Sequence, residues 1–128
     1  VAIKLLHPSA ARSMESLERF TLEAKSLAKL THPNIIQIID YGTLDDGVPF
    51  LVTEYLDGLP LDRWLEDRWP LQVSEIVDVL RQVADGLTTI HAHGLLHRDI
   101  KPENIMIKYE TQNTAGEGNI IRIFDSYT

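Results

Sequence analysis

Residues 97–104 read His97-Arg98-Asp99-Ile100-Lys101-Pro102-Glu103-Asn104. Five ionisable groups and one amide fall within eight positions, between Leu95-Leu96 and Ile105-Met106-Ile107. A polar loop bracketed by apolar segments is where a scaffold presents chemistry. Asp99 is a candidate proton acceptor, and Asn104 offers an oxygen to a hard cation. Lys101 places a positive charge between them. Asp125 ends a later apolar strand, Ile120 to Phe124, and is a candidate second hard-oxygen ligand.

The segments before this loop read as helices. One runs from about Ser74 to His93, with Ile76, Leu80, Val83, Ala84, Leu87 and Ile90 on its apolar face. Ser74 is its expected cap, Glu75 and Asp78 suit its positive end, and Gly94 supplies the stop. A shorter helix spans Leu61 to Trp69 and ends at Pro70. After the loop, Ile105-Met106-Ile107 reads as a strand. Thr111 to Asn119 is small, polar and Gly-containing, so it reads as a loop.

The first half reads as strands around one helix. Val1 to Leu6 is apolar except for Lys4, as in a strand covered on both faces, and His7-Pro8-Ser9 ends it. Residues 13–31 carry Leu17, Phe20, Ala24, Leu27 and Leu30 at helical spacing, with Ser13 as cap and Glu15 in the first turn. His32-Pro33-Asn34 is the expected stop. Ile35 to Tyr41 and Phe50 to Tyr55 are expected strands, joined by a turn over Gly42 to Gly47. Asp57-Gly58-Leu59-Pro60 breaks the pattern and reads as a hinge between two halves.

Two charges sit on apolar faces. Lys4 interrupts the first strand, and Glu23 lies among the inward residues of the first helix. Either charge is costly to bury alone, and together they would neutralise each other. The alternative places Lys4 on an edge strand and Glu23 at the rim of the stripe.

Composition excludes several classes. The 128 residues are 44% hydrophobic and 24% charged, as in an ordinary globular chain. Twelve Lys and Arg against 19 Asp and Glu give a net charge of −7, unlike a surface built for nucleic acid or anionic membrane. With no cysteine, disulfides, thiolate metal sites and cysteine nucleophiles are excluded. No apolar run approaches the roughly 20 residues of a membrane span. His91, His93 and His97 hint at a metal, but no carboxylate or thiol completes a tetrahedral set. Trp64 and Trp69 read as packing of the short helix rather than a platform for bases.

The motifs carry a resemblance. His97 to Asn104 resembles the catalytic loop of the eukaryotic-type serine/threonine protein kinases, and Val1-Ala2-Ile3-Lys4 resembles their third-strand motif. Glu23, nineteen residues after Lys4, resembles the family's paired glutamate. His32-Pro33-Asn34-Ile35 follows that helix as in many members. Leu51 to Gly58 is similar to the last small-lobe strand running into the hinge, and Ile90 to Asp99 to the helix leading into the loop. Lys101, two after Asp99, is similar to the Ser/Thr-specific subgroup.

The resemblance implies an α+β, protein-kinase-like two-lobe fold, truncated, with a partial small lobe over 1–56 and a partial large lobe over 57–128. It implies ATP-dependent phosphoryl transfer to Ser or Thr hydroxyls of a protein substrate, with ATP and Mg²⁺ as cofactors. Lys4 would hold the α- and β-phosphates and Glu23 would orient it. Asp99 would accept the substrate proton, Lys101 would stabilise the transferring group, and Asn104 and Asp125 would bind Mg²⁺. Thr53 would be the gatekeeper, the Glu54 and Leu56 backbone would meet the adenine edge, and Ala2 and Met106 would sandwich the ring. Arg98 would pair with a phosphorylated activation loop. A cytoplasmic setting is implied, with no nucleic acid and no membrane contact from this segment.

The sequence also departs from the family pattern. Nothing precedes the third-strand motif, and the chain ends at Thr128, so a fragment is expected, inactive alone and exposing apolar surface. Asp125-Ser126-Tyr127 stands where Asp-Phe-Gly is usual. Ser126 lacks the apolar contact with His97, Leu27 and Ile38, and Tyr127 lacks the backbone freedom of Gly. The stretch from Lys108 to Asn119 is long for the family and reads as a surface insertion. Two alternatives remain beside the kinase reading: a pseudokinase-type nucleotide-binding or scaffolding module, and a small-molecule phosphotransferase, whose usual His-Gly-Asp this loop lacks.

Overall fold

The computed structural model describes residues 1–6, 13–112 and 116–123, with backbone alone for 109–112 and 116–120. These residues fall into two compact units, described separately: 1–31 with 37–55, and 32–36 with 56–123.

The first unit is a three-stranded antiparallel sheet with one helix. Its strands are β1 (Ala2–Leu5), β2 (Ile38–Thr43) and β3 (Pro49–Thr53), in the order β1-β3-β2. The central strand alternates: Pro49, Leu51 and Thr53 are buried, while Phe50 and Val52 are half-buried. β1 lies at an edge among the described strands, and Val1, Ile3 and Leu5 are exposed. The expected cover on both faces of this strand is therefore not met. Among the described strands β1 pairs only with β3, Lys4 opposite Leu51 and Ala2 opposite Thr53, and Lys4 is the one residue of Ala2–Leu5 that is half-buried.

The helix α1 runs Met14–Leu27. Ser13 caps it as expected, its hydroxyl accepting from the Ser16 N–H at 3.1 Å. Phe20, Ala24 and Leu27 are buried at the expected spacing. The helix closes four residues short of Thr31, because the chain tightens: the Leu30 N–H reaches the Leu27 carbonyl at 2.9 Å and buries Leu30 there.

The second unit has a three-stranded antiparallel sheet in the order β4-β5-β6, from β4 (Leu59–Pro60), β5 (Ile105–Gln112) and β6 (Gly116–Ile123). The helices α2 (Leu61–Arg68) and α3 (Val73–Ala92) accompany it. Trp64, Val79, Val83, Ile105, Ile107, Ile121 and Ile123 form its buried core, with Leu61, Leu65, Leu71 and Leu87 packed around them. Burying this many large side chains, at about 1.5–3 kcal/mol each, supplies the drive for the unit.

Several expectations change here. Asp57-Gly58-Leu59-Pro60 is no open hinge throughout, since Leu59 and Pro60 pair with Ile107 and Met106. Gln72, not Ser74, occupies the N-cap of α3, and its own N–H donates to Glu75 Oε2 at 3.0 Å. Gly94 follows the helix at a φ of 74°, as its stop requires. The buried face of α3 is Val79, Gln82, Val83, Gly86 and Ile90, whereas Leu80 and Ala84 are exposed. Val83, Leu87 and Ile90 of the expected face do meet the core, but Val79, Gln82 and Gly86 complete the buried stripe where Leu80 and Ala84 were expected. Trp64 is buried, but Trp69 is 71% exposed and outside the packing expected of it.

The expected loop over 111–119 is largely sheet. β5 and β6 pair in register from Ile105 with Ile123 to Gln112 with Gly116, so the insertion lengthens a hairpin. The run Ile35 to Tyr41 is likewise split between the units. Ile35 bridges Ile123 in parallel within the second unit, and β2 of the first begins only at Ile38.

Candidate functional site

The 97–104 loop begins beyond the end of α3 at Ala92, and turns through a left-handed residue of its own. Arg98 has a φ of 64°, a conformation that costs a non-glycine residue about 1–2 kcal/mol. His97 is buried at its base, and its Nδ1 accepts from the Asp99 N–H at 3.3 Å. Asp99 is thereby held against a fixed ring on its N-terminal side. On its C-terminal side Pro102–Asn104 forms a single 3-10 turn, closed by the Asn104 N–H on the Lys101 carbonyl at 2.9 Å. Proline suits that first position because it has no N–H to lose.

Three of the expected catalytic side chains meet at one oxygen. Asn104, buried, donates from Nδ2 to the Asp99 carbonyl at 2.9 Å and to Asp99 Oδ2 at 3.0 Å. Lys101 Nζ lies 3.4 Å from the same Oδ2. Both side chains of the Lys101–Asp99 pair keep contact with solvent, so its value is specificity of placement more than stability. The Asn104 amide commits both its protons to Asp99, which leaves its oxygen as the atom suited to a hard cation. The second expected ligand, Asp125, lies outside the described residues, as do Ser126 and Tyr127.

In the same unit Met106 is half-buried on β5 opposite Pro60 and Arg122, and Leu56 is half-buried. In the first unit, Thr53 is buried, and its hydroxyl donates to the Glu54 carbonyl at 3.1 Å. Glu54 is tied twice to Gln37: its N–H to the Gln37 carbonyl at 3.0 Å, and its Oε1 to the Gln37 N–H at 2.8 Å. Lys4 and Glu23 are both half-buried, yet among the described residues no ion pair joins them. Ala2, opposite Thr53, is exposed.

Sequence reasoning missed two residues. Gln82 is buried on α3 and accepts from Ile121 N at 2.9 Å. Asn34, also buried, donates to Gln82 and to the Ile121 carbonyl. The available signal was a glutamine between Val79 and Val83 on an otherwise apolar face. Among the described residues no helix is long and apolar enough to cross a membrane.

Comparison with known proteins places this loop in a wider setting. A family model described as protein kinase domain matches residues 1–126. The chain is similar to the serine/threonine-protein kinase pkn3 of Myxococcus xanthus, 38% identical over 125 residues, covering 98% of this chain and 22% of that protein. It is similar to the serine/threonine-protein kinase PrkC of Bacillus subtilis, 38% identical over 109 residues, covering 85% of this chain and 17% of that protein. The crystal structure of the Mycobacterium tuberculosis PknI kinase domain matches with a TM-score of 0.82 at 32% identity, over 96% of this chain and 47% of that one. The chain therefore spans about a fifth of these curated relatives and about half of the solved domain.

Proposed function

We propose, from the premise that this chain belongs to the protein kinase domain family, that the whole protein transfers the γ-phosphoryl group of ATP to serine or threonine hydroxyls of a protein substrate. The observation that carries the proposal is the convergence of Asn104 and Lys101 on Asp99 Oδ2. A carboxylate held at one oxygen by two donors is oriented before any substrate arrives, which is the positioning this chemistry needs.

In that reading Asp99 accepts the proton of the attacking hydroxyl. Lys101, beside the carboxylate, stabilises negative charge on the group in transit. Lys4 holds the α- and β-phosphates, with Glu23 as its orienting partner. Asn104 and Asp125 hold Mg²⁺, which when bound neutralises phosphate charge. Thr53 stands as gatekeeper, the Glu54 and Leu56 backbone meets the adenine edge, and Ala2 and Met106 enclose the ring. The Glu54 N–H is already given to Gln37 and its carbonyl already accepts from the Thr53 hydroxyl, so an adenine donor at Glu54 would share that carbonyl. Division into a small-lobe part over 1–56 and a large-lobe part over 57–128, and a cytoplasmic setting, complete the reading.

The test is transfer of labelled phosphate from Mg-ATP by the whole protein, with phosphoamino-acid identification. Label on serine or threonine, lost in Asp99→Asn, is the expected result. Label that persists in Asp99→Asn overturns it. A second reading is favoured by one observation: Ser126-Tyr127 in place of Phe-Gly. A nucleotide-binding scaffold would bind Mg-ADP and transfer nothing.

A further inference from the structure

The outer edge of β6 is closed by side chains where a further strand would otherwise lie. Ile121 gives its N–H to Gln82 Oε1 at 2.9 Å, and its carbonyl accepts from Asn34 Nδ2 at 2.8 Å. The same Asn34 Nδ2 donates to Gln82 Oε1 at 2.9 Å. Two residues on, the backbone takes over: the Ile123 N–H reaches the Asn34 carbonyl at 2.9 Å, and the Ile36 N–H reaches the Ile123 carbonyl at 3.1 Å. Both peptide groups of this edge, at 121 and 123, are thereby engaged.

Gln82 is itself fixed. Its Nε2 donates to Asp78 Oδ2 at 3.0 Å, and Asp78 Oδ1 accepts from Arg81 at 2.8 Å. The amide cannot flip without placing a donor against the Ile121 N–H and the Asn34 amide. Gly86, one turn further along α3, allows the close approach: a Cβ there would lie 2.9 Å from the Asn34 carbonyl oxygen and from Ile123 Cδ1. Asn34 and Gln82 are both more than nine-tenths buried, so each lost bond would strand a polar group away from water.

We propose that Asn34 and Gln82 form a clasp that fixes the register and tilt of β6, making Gln82 a positioning residue for the metal-binding segment that begins two residues after Ile123. The inference rests on the phosphoryl-transfer reading above. As a positioning residue Gln82 needs no contact with nucleotide or metal. It acts through β6, whose other edge is paired with β5 and whose chain leads directly to Asp125.

The experiment uses the whole protein with two variants. Gln82→Leu removes the accepting oxygen. Gln82→Glu combined with Asp78→Asn moves the charge by one helical turn, keeps an acceptor for Ile121 and Asn34, and keeps a donor at position 78. Amide hydrogen exchange at Ile121 and Ile123, and the Mg²⁺ concentration needed for tight ADP binding, are measured in each. In Gln82→Leu, exchange at Ile121 rises about tenfold or more while Val79 and Ile90 hold, and the Mg²⁺ requirement rises by about the same factor. The double variant recovers both. An unchanged Mg²⁺ requirement in folded Gln82→Leu overturns the proposal, and so does an equal loss in the double variant. Wild-type protein that binds Mg-ADP but labels no serine or threonine overturns the substrate class instead, and the shift in Mg²⁺ requirement still supports the clasp.

Discussion

Asn104 donates to Asp99 twice, to its carbonyl at 2.9 Å and to its carboxylate at 3.0 Å. One amide thus fixes both the backbone and the side chain of the residue proposed as proton acceptor. Hydrogen bonds to a charged group contribute about 1.5–3 kcal/mol, more than neutral ones. Asn104→Leu should therefore destabilise the whole protein by about 1–3 kcal/mol in urea unfolding. Its phosphoryl-transfer rate should fall by about a hundredfold or more, because Asp99 loses its alignment as well as a donor. A variant that unfolds at the wild-type midpoint would show that these bonds do not hold the loop.

Arg98 tests the backbone separately from the side chain. Its φ of 64° suits glycine and strains other residues. Arg98→Gly and Arg98→Ala both remove the guanidinium, but only the first relieves the strain. The glycine variant should be the more stable by about 1 kcal/mol, after allowing for its greater unfolded-state entropy. Equal midpoints for the two variants, or a more stable alanine variant, would contradict a strained turn.

The two tryptophans should behave oppositely. Trp64 is 5% exposed within the core of the second unit, and Arg68 lies 4.9 Å from its ring centre. Trp64→Ala should cost about 3–5 kcal/mol, enough to unfold a marginal domain. Trp69 is 71% exposed, so Trp69→Ala should stay within about 0.5 kcal/mol of wild type. Thermal melts of the two variants decide this directly.

What was legible in the sequence was local chemistry. Ser13, with Phe20, Ala24 and Leu27 behind it, set out α1 because capping and helical spacing are properties of neighbours along the chain. The 97–104 loop announced itself by charge density between apolar flanks. Long-range choices were not legible. Ile35 and Ile38 are chemically alike, yet one bridges Ile123 and the other opens β2. Nothing adjacent to them records that partner. The same holds on α3, where Leu80 and Val79 compete for one buried face and the partner sheet selects Val79. Asn34 and Gln82, 48 positions apart, joined only once the fold brought them together. The apolar ends of the β5 and β6 hairpin were legible as strands, but its distal part over 111–119 was hidden because residues there are small and polar, a composition shared with loops.

Gly58 supplies a last test of how the second unit is assembled. A Cβ at this position would lie 2.3 Å from the Ile107 carbonyl oxygen and 3.0 Å from its carbon. Both are backbone atoms of β5, paired with β4 one residue further on, so no side-chain rotation relieves the clash. Gly58→Ala must push the chain away from β5 before Leu59 and Pro60 reach their partners. That loosens the entry to α2 and the seat of Trp64 behind it. The expected cost is about 1–3 kcal/mol, in the range of overpacking a filled core. Intrinsic fluorescence followed through a denaturant titration would report it, since buried Trp64 lies on the helix that begins where β4 ends. A Gly58→Ala midpoint equal to wild type would mean that β4 is free to shift, and that the pairing of Leu59 with Ile107 contributes little to holding α2 against the core.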